Sequence, residues 1–135
     1  MGFPSTRLRR LRKRSKIRDL VSHVSLSKLD LVYTVFVKER LSGNRNIPGM
    51  PDQRYYSLGE LGKLSEKCEA DGVPGLLIFG VPKKKDIRGS EAYDDNGIVQ
   101  RAIGRVRERS ELAVLTDVCP CQYTTHGHCG VLTKK

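Results

Sequence analysis

The chain has 135 residues, 38% hydrophobic and 30% charged, with a formal net charge of +10. That length suits one ordinary domain with its own core. The composition argues against disorder, and no apolar run approaches the roughly 20 residues of a membrane span.

The charge is concentrated at the start. Residues 1–18 hold Arg7, Arg9, Arg10, Arg12, Lys13, Arg14, Lys16 and Arg18 and no acid. The remainder carries 17 basic against 15 acidic residues, so the body is nearly neutral. Such an arm suits phosphate contacts on nucleic acid, an Arg-rich transit segment, or a solvated or subunit-contacting extension. No apolar stretch follows it, so it does not read as a secretory signal. Four cysteines without such a signal point to a reducing compartment, here the cytoplasm.

Residues 31–37, LVYTVFV, have strand composition. His23, alone in a mixed-polarity stretch, reads as a surface or packing residue. Residues 40–57 contain Pro48, Gly49 and Pro51 and read as a long loop. Residues 57–72 then place Leu58, Leu61, Leu64 and Cys68 at helical spacing. Ser57 with Glu60 resembles a capping box, and Gly72 is a natural stop. Cys68 lies on the apolar stripe and reads as core, not as a ligand.

PGLLIFG at 74–80 is a continuous apolar run, as expected of a strand buried on both faces. Residues 81–97 read as a polar loop. Residues 97–109 predict a helix with Ile98, Val99, Ala102, Ile103 and Val106 on one face and Asn96 as its N-cap. Gly104 within it costs about 1 kcal/mol relative to Ala. LAVLTDVC at 112–119 reads as a third buried strand. The alternation predicts an α/β fold with a parallel sheet.

DVCPCQYTTHGHCG, residues 117–130, gathers three of the four cysteines and two of the three histidines. On an extended strand Asp117, Cys119 and Cys121 share one face. Cys129 returns across a turn at Gly127, so three thiolates can converge. Thiolate suits zinc by softness and charge. The fourth position falls to His126 or His128, or stays open to water and substrate, and an open position signals chemistry. The histidines can instead hydrogen-bond behind the ligands. The metal-free alternative is a buried trio of thiols, against which the density of Cys and His counts. Placement at the C-terminal end of a parallel strand favours a reactive site.

At these residues the sequence resembles the porphobilinogen synthase (5-aminolaevulinate dehydratase) family, in its archaeal style. TDVCPCQYTTHGHCG (116–130) looks like that family's zinc-site signature, and LLIFGVPKKKDIRGSEAYDDNGIVQRAI (76–103) like its second strand, active-site loop and helix. RLRRLRK (7–13) resembles its N-terminal arm, VFVKE (35–39) its first barrel strand, and MPDQRYYS (50–57) the stretch after it. Asp52 stands where the family commonly has Gly, Arg54 and Tyr55 look exchanged, and Pro120 between two ligands is unusual.

The resemblance implies the N-terminal part, about three β/α units, of a (β/α)8 TIM barrel. An arm over residues 1–29 precedes an incomplete barrel domain over 30–135. It implies a lyase of porphyrin and haem biosynthesis that condenses two 5-aminolaevulinate molecules to porphobilinogen. It implies Zn2+ on Cys119, Cys121 and Cys129, with an additional Mg2+ allowed in the full-length family. It places Asp117 beside the metal, orienting or handling protons. It also implies a homo-oligomer, an octamer in the family, joined through the arm, with no nucleic acid and no membrane. The family's Schiff-base lysines lie downstream of this motif, and Lys83, Lys84, Lys85, Lys134 and Lys135 do not match them. A full barrel takes roughly 250 residues. The expectation is therefore a fragment, poorly soluble and inactive alone. The alternative is a non-enzymatic zinc-binding module whose basic arm binds nucleic acid.

Overall fold

The computed structural model describes residues 9–133. The first eight residues, with Arg7 of the basic arm, and Lys134 and Lys135 lie outside the described residues. The described arm is a 3-10 turn at Arg10–Arg12 followed by helix α1 (Ser15–Leu20). Neither buries a residue. Leu20, Val24, Leu26 and Leu29 are all more than three-quarters exposed. Lys28 Nζ donates to the Asp71 carbonyl at 3.0 Å, tying the arm's end to the body.

The body is a five-stranded sheet covered on one face by two helices. Its strands are β1 (Val32–Lys38), β2 (Asn44–Asn46), β3 (Arg54–Tyr56), β4 (Gly75–Val81) and β5 (Ala113–Thr116). The order is β2-β3-β1-β4-β5, all parallel except the antiparallel β2–β3 pair. Helix α2 (Leu58–Ala70) lies between β3 and β4 in sequence, and α3 (Ile98–Arg107) between β4 and β5. Alternation along β1 and β4 sends Val35, Val37, Leu76 and Ile78 into a core with Leu61, Ile98, Ala102 and Val106. Each valine, leucine or isoleucine among them contributes about 1.5–3 kcal/mol on full burial. On the opposite face Phe36 stacks on Phe79 with ring centroids 5.3 Å apart.

Helix α2 starts where expected: the Ser57 hydroxyl accepts from the Glu60 amide at 3.3 Å. The capping box is only half formed, because Glu60 pairs with Lys63 instead of turning back. Gly72 follows the helix with φ +79°, the left-handed conformation a stop residue needs. Cys68 is buried in the core, as its place on the apolar stripe predicts.

Three local expectations fail. The predicted loop at 40–57 contains β2 and β3, two three-residue strands. β2 is fully exposed Asn-Arg-Asn, without any apolar alternation to reveal it. Asn96 is not the N-cap of α3. Gly97 holds that position, and the Asn96 amide donates to Asp94 Oδ1 within the preceding turn. The predicted buried strand at 112–119 shrinks to Ala113–Thr116 and is largely exposed, because β5 is an edge strand among the described residues.

Candidate metal centre

The early end of β5 changes how the cysteines converge. Asp117, Cys119 and Cys121 do not sit on one extended strand. Cys119 is extended, with φ −106° and ψ 114°, and Pro120–Gln122 then form a 3-10 turn. Proline, with φ already near the helical value and no amide to satisfy, suits the first position of such a turn. The turn folds Cys121 back, so that its Sγ lies 3.0 Å from Cys119 Sγ. Gly127, at φ +72°, reverses the chain again. Cys129 Sγ thereby comes within 2.9 Å of Cys119 Sγ. All three sulfurs lie within 4.8 Å of one another.

This donor set fits a soft divalent ion. Zinc–sulfur bonds of about 2.3 Å in a tetrahedron place sulfurs about 3.8 Å apart. The triad needs to open by less than about 1 Å to reach that geometry. Among the described residues no histidine or carboxylate joins the three sulfurs. Without a metal the thiols share protons unequally. Hydrogen bonds from Cys121 and Cys129 hold the Cys119 thiol below its ordinary value. Cys121, bonded chiefly to Cys119, is pushed up to about 11.

Asp117 lies between β5 and the turn, where Gln122 Nε2 donates to its Oδ1 at 3.1 Å. Asp117 and Cys119 line one cleft of about 390 Å³, with Thr116 and Tyr123 beside them and Val99 and Gln100 of α3 opposite. The cleft opens at the C-terminal end of β5. A ligand there meets the Asp117 carboxylate and the Cys119 sulfur together.

The cysteine loop is also bonded to the polar loop after β4. The Asp86 amide donates to the Tyr123 carbonyl at 3.2 Å, and the Thr125 amide to the Asp86 carbonyl at 3.0 Å. The Asp86 carboxylate accepts from the amides of Arg88 and Ser90 and from the Ser90 hydroxyl. These bonds, the Ser90 hydroxyl foremost, hold Asp86 below its ordinary value. Thr124, buried, donates to the His128 carbonyl at 3.1 Å. Neither Asp86 nor Thr124 figured among the sequence candidates. Both lie inside the stretches that carry the family resemblance, and the local signal at Asp86 is Asp86-x-x-Gly89-Ser90, turn chemistry in which aspartate caps nearby amides.

His126 and His128 stack with ring centroids 5.6 Å apart. His126 reaches the Ile87 carbonyl at 3.4 Å through Nε2. Neither histidine completes the sulfur cluster.

Comparisons with known proteins agree with one another. A family model, "Delta-aminolevulinic acid dehydratase", matches residues 5–135. A delta-aminolevulinic acid dehydratase of Methanothermus sociabilis is 55% identical over 135 residues, covering 100% of this chain and 42% of that protein. One of Bacillus subtilis is 40% identical over 133 residues, covering 98% and 41%. The crystal structure of delta-aminolevulinic acid dehydratase (porphobilinogen synthase) from Toxoplasma gondii, in complex with the reaction product porphobilinogen, matches with a TM-score of 0.87 at 28% identity. That match covers 97% of this chain and 38% of the other. The chain thus spans about two fifths of the length of these relatives.

Proposed function

The chain belongs to the delta-aminolevulinic acid dehydratase family, and from that premise we propose that Cys119, Cys121 and Cys129 form its zinc site. We further propose that the whole protein condenses two molecules of 5-aminolaevulinate to porphobilinogen with loss of two waters. The observation that carries this reading is the convergence of three sulfurs within 4.8 Å, beside a cleft at the sheet's C-terminal end. In parallel α/β barrels that end of the strands is where catalytic groups gather.

Cys119, Cys121 and Cys129 would hold zinc through their thiolates, and the metal would supply Lewis acidity toward a water or a substrate oxygen. The chain's own residues do the rest. The cysteines fix the metal's place, and Asp117 orients or exchanges a proton with the group bound in the cleft. Gln122 holds that carboxylate in place. The lysine that forms the family's Schiff base has no match among these residues. The 135 residues therefore carry the metal half of the site and do not turn over substrate alone.

Residues 1–29 act as an arm and residues 30–135 as the beginning of a barrel domain. The exposed apolar side chains at Leu20, Val24, Leu26 and Leu29 support packing against another subunit in a cytoplasmic homo-oligomer, an octamer in the family. The family match begins at residue 5 and so includes the basic run. That counts against a separate nucleic-acid role for the arm.

The test joins this chain to the remaining length of the Methanothermus sociabilis relative. With zinc and 5-aminolaevulinate the chimera is expected to form porphobilinogen, and its Cys119→Ser variant is not. A folded, zinc-loaded chimera without product would end the enzymatic reading.

A further inference from the structure

We propose that His126 is a positioning residue for the cysteine triad, acting as a two-armed latch that holds Cys129 against Cys119. The proposal rests on the reading of these cysteines as a metal site. Cys129 lies on an exposed segment without helix or strand. Its return to within 2.9 Å of Cys119 therefore needs an anchor.

His126 supplies one. The His128 amide, which can only donate, lies 3.1 Å from His126 Nδ1. A neutral imidazole has one acceptor and one donor nitrogen. Nδ1 is thus the acceptor and Nε2 carries the proton. That proton points to the Ile87 carbonyl, 3.4 Å away on the loop after β4. One arm closes the turn around Gly127, and the other ties the turn to a loop already bonded to Tyr123 and Thr125 through Asp86. Thr124 reinforces the closure by donating to the His128 carbonyl.

The same bonds decide what His126 does not do. A histidine ligand must offer a metal a free ring nitrogen. Both nitrogens here are engaged by backbone groups, so the latched ring is not the fourth ligand. Its effect reaches the metal through the position of Cys129.

The two arms can be separated by substitution. In His126→Asn the side-chain oxygen takes the place of Nδ1 and keeps the acceptor for the His128 amide. In His126→Gln the longer amide reaches toward Ile87 but leaves the turn's amide unserved. His126→Ala removes both arms. The 135-residue chain and these variants are titrated with Co2+, following the thiolate-to-cobalt absorption band, and amide exchange is measured across 124–130 without metal. Groups behind metal ligands typically change affinity 10–100-fold when removed. His126→Ala is expected to weaken Co2+ binding by about tenfold or more and to speed exchange at the His128 amide. His126→Asn recovers more of both than His126→Gln. Wild-type affinity and exchange in His126→Ala would overturn the latch, and so would recovery by Gln but not Asn. A wild-type chain that binds no Co2+ would instead remove the metal-site reading, and exchange at His128 would then judge the latch alone.

Discussion

Gly80 leaves the space that Tyr123 fills: a β carbon on Gly80 would stand 3.1 Å from the tyrosine hydroxyl. The same β carbon would meet Val99 Cγ2 at 2.5 Å and Ile98 Cγ2 at 2.8 Å. The end of β4, the start of α3 and the cysteine loop therefore meet at a residue without a side chain. Overpacking of this kind costs about 1–3 kcal/mol. Gly80→Ala is expected to lose that much in urea unfolding and also to weaken zinc binding, since Tyr123 lies between the cysteines and the sheet. Unchanged stability would show that α3 shifts freely.

The four cysteines divide into two classes. Serine at 119, 121 or 129 should abolish stoichiometric zinc, read by elemental analysis after dialysis. Cys68→Ser should keep zinc while lowering stability by about 1–3 kcal/mol, because it places a hydroxyl in an apolar core. Equal zinc loss from Cys68→Ser would overturn the ligand set.

Asp86 makes the bonded loop pair sensitive to acid. Its folded value is lowered, so its contribution is present above the ordinary 3.8 and is lost as pH falls through the lower folded value. Thermal melts should show this loss in the wild type and a flatter acid limb in Asp86→Asn. Identical acid limbs would mean that the Ser90 and Arg88 bonds contribute nothing to folding.

Asp52 adopts φ +62°, a conformation that aspartate tolerates better than most residues and glycine adopts freely. Glycine, common at this position in the family, suits this left-handed backbone. Asp52→Gly should change stability by less than about 1 kcal/mol, since relief of strain is offset by added freedom in the unfolded chain. Asp52→Val should cost more, about 1–2 kcal/mol. A chemical melt of the three proteins checks the order.

The parts legible in the sequence were those with long periodic signals. The apolar runs of β1 and β4 and the stripes of α2 and α3 announce themselves, and Cys68 falls on one of those stripes. β2 and β3 do not, because each has three residues and their pairing depends on a distant partner strand. The cysteine spacing announces the convergence but not its route: strand alternation predicts one path, and a proline-led 3-10 turn does the folding. The bonds through Asp86, Thr124 and His126 were not legible. Thr124 bonds within its own loop, to the His128 carbonyl, whereas Asp86 and His126 join two distant loops, Asp86 to Tyr123 and Thr125 and His126 to Ile87 across 39 positions, and no local pattern encodes those contacts.

The two borders of the sheet are chemically unlike. β2 presents Asn44, Arg45 and Asn46, all exposed and polar, and so discourages further pairing. β5 presents Ala113, Val114, Leu115 and Thr116, with Leu115 44% exposed and Val118 beyond it 97% exposed. The sheet therefore favours lengthening past β5, and an incoming strand, from the same polypeptide or a stray one, is steered to that side. Leu115→Lys should suppress light scattering by concentrated solutions of the chain, whereas Arg45→Lys at the opposite border should leave it unchanged. Equal scattering from all three proteins would show that the apolar border is not what the molecules stick by.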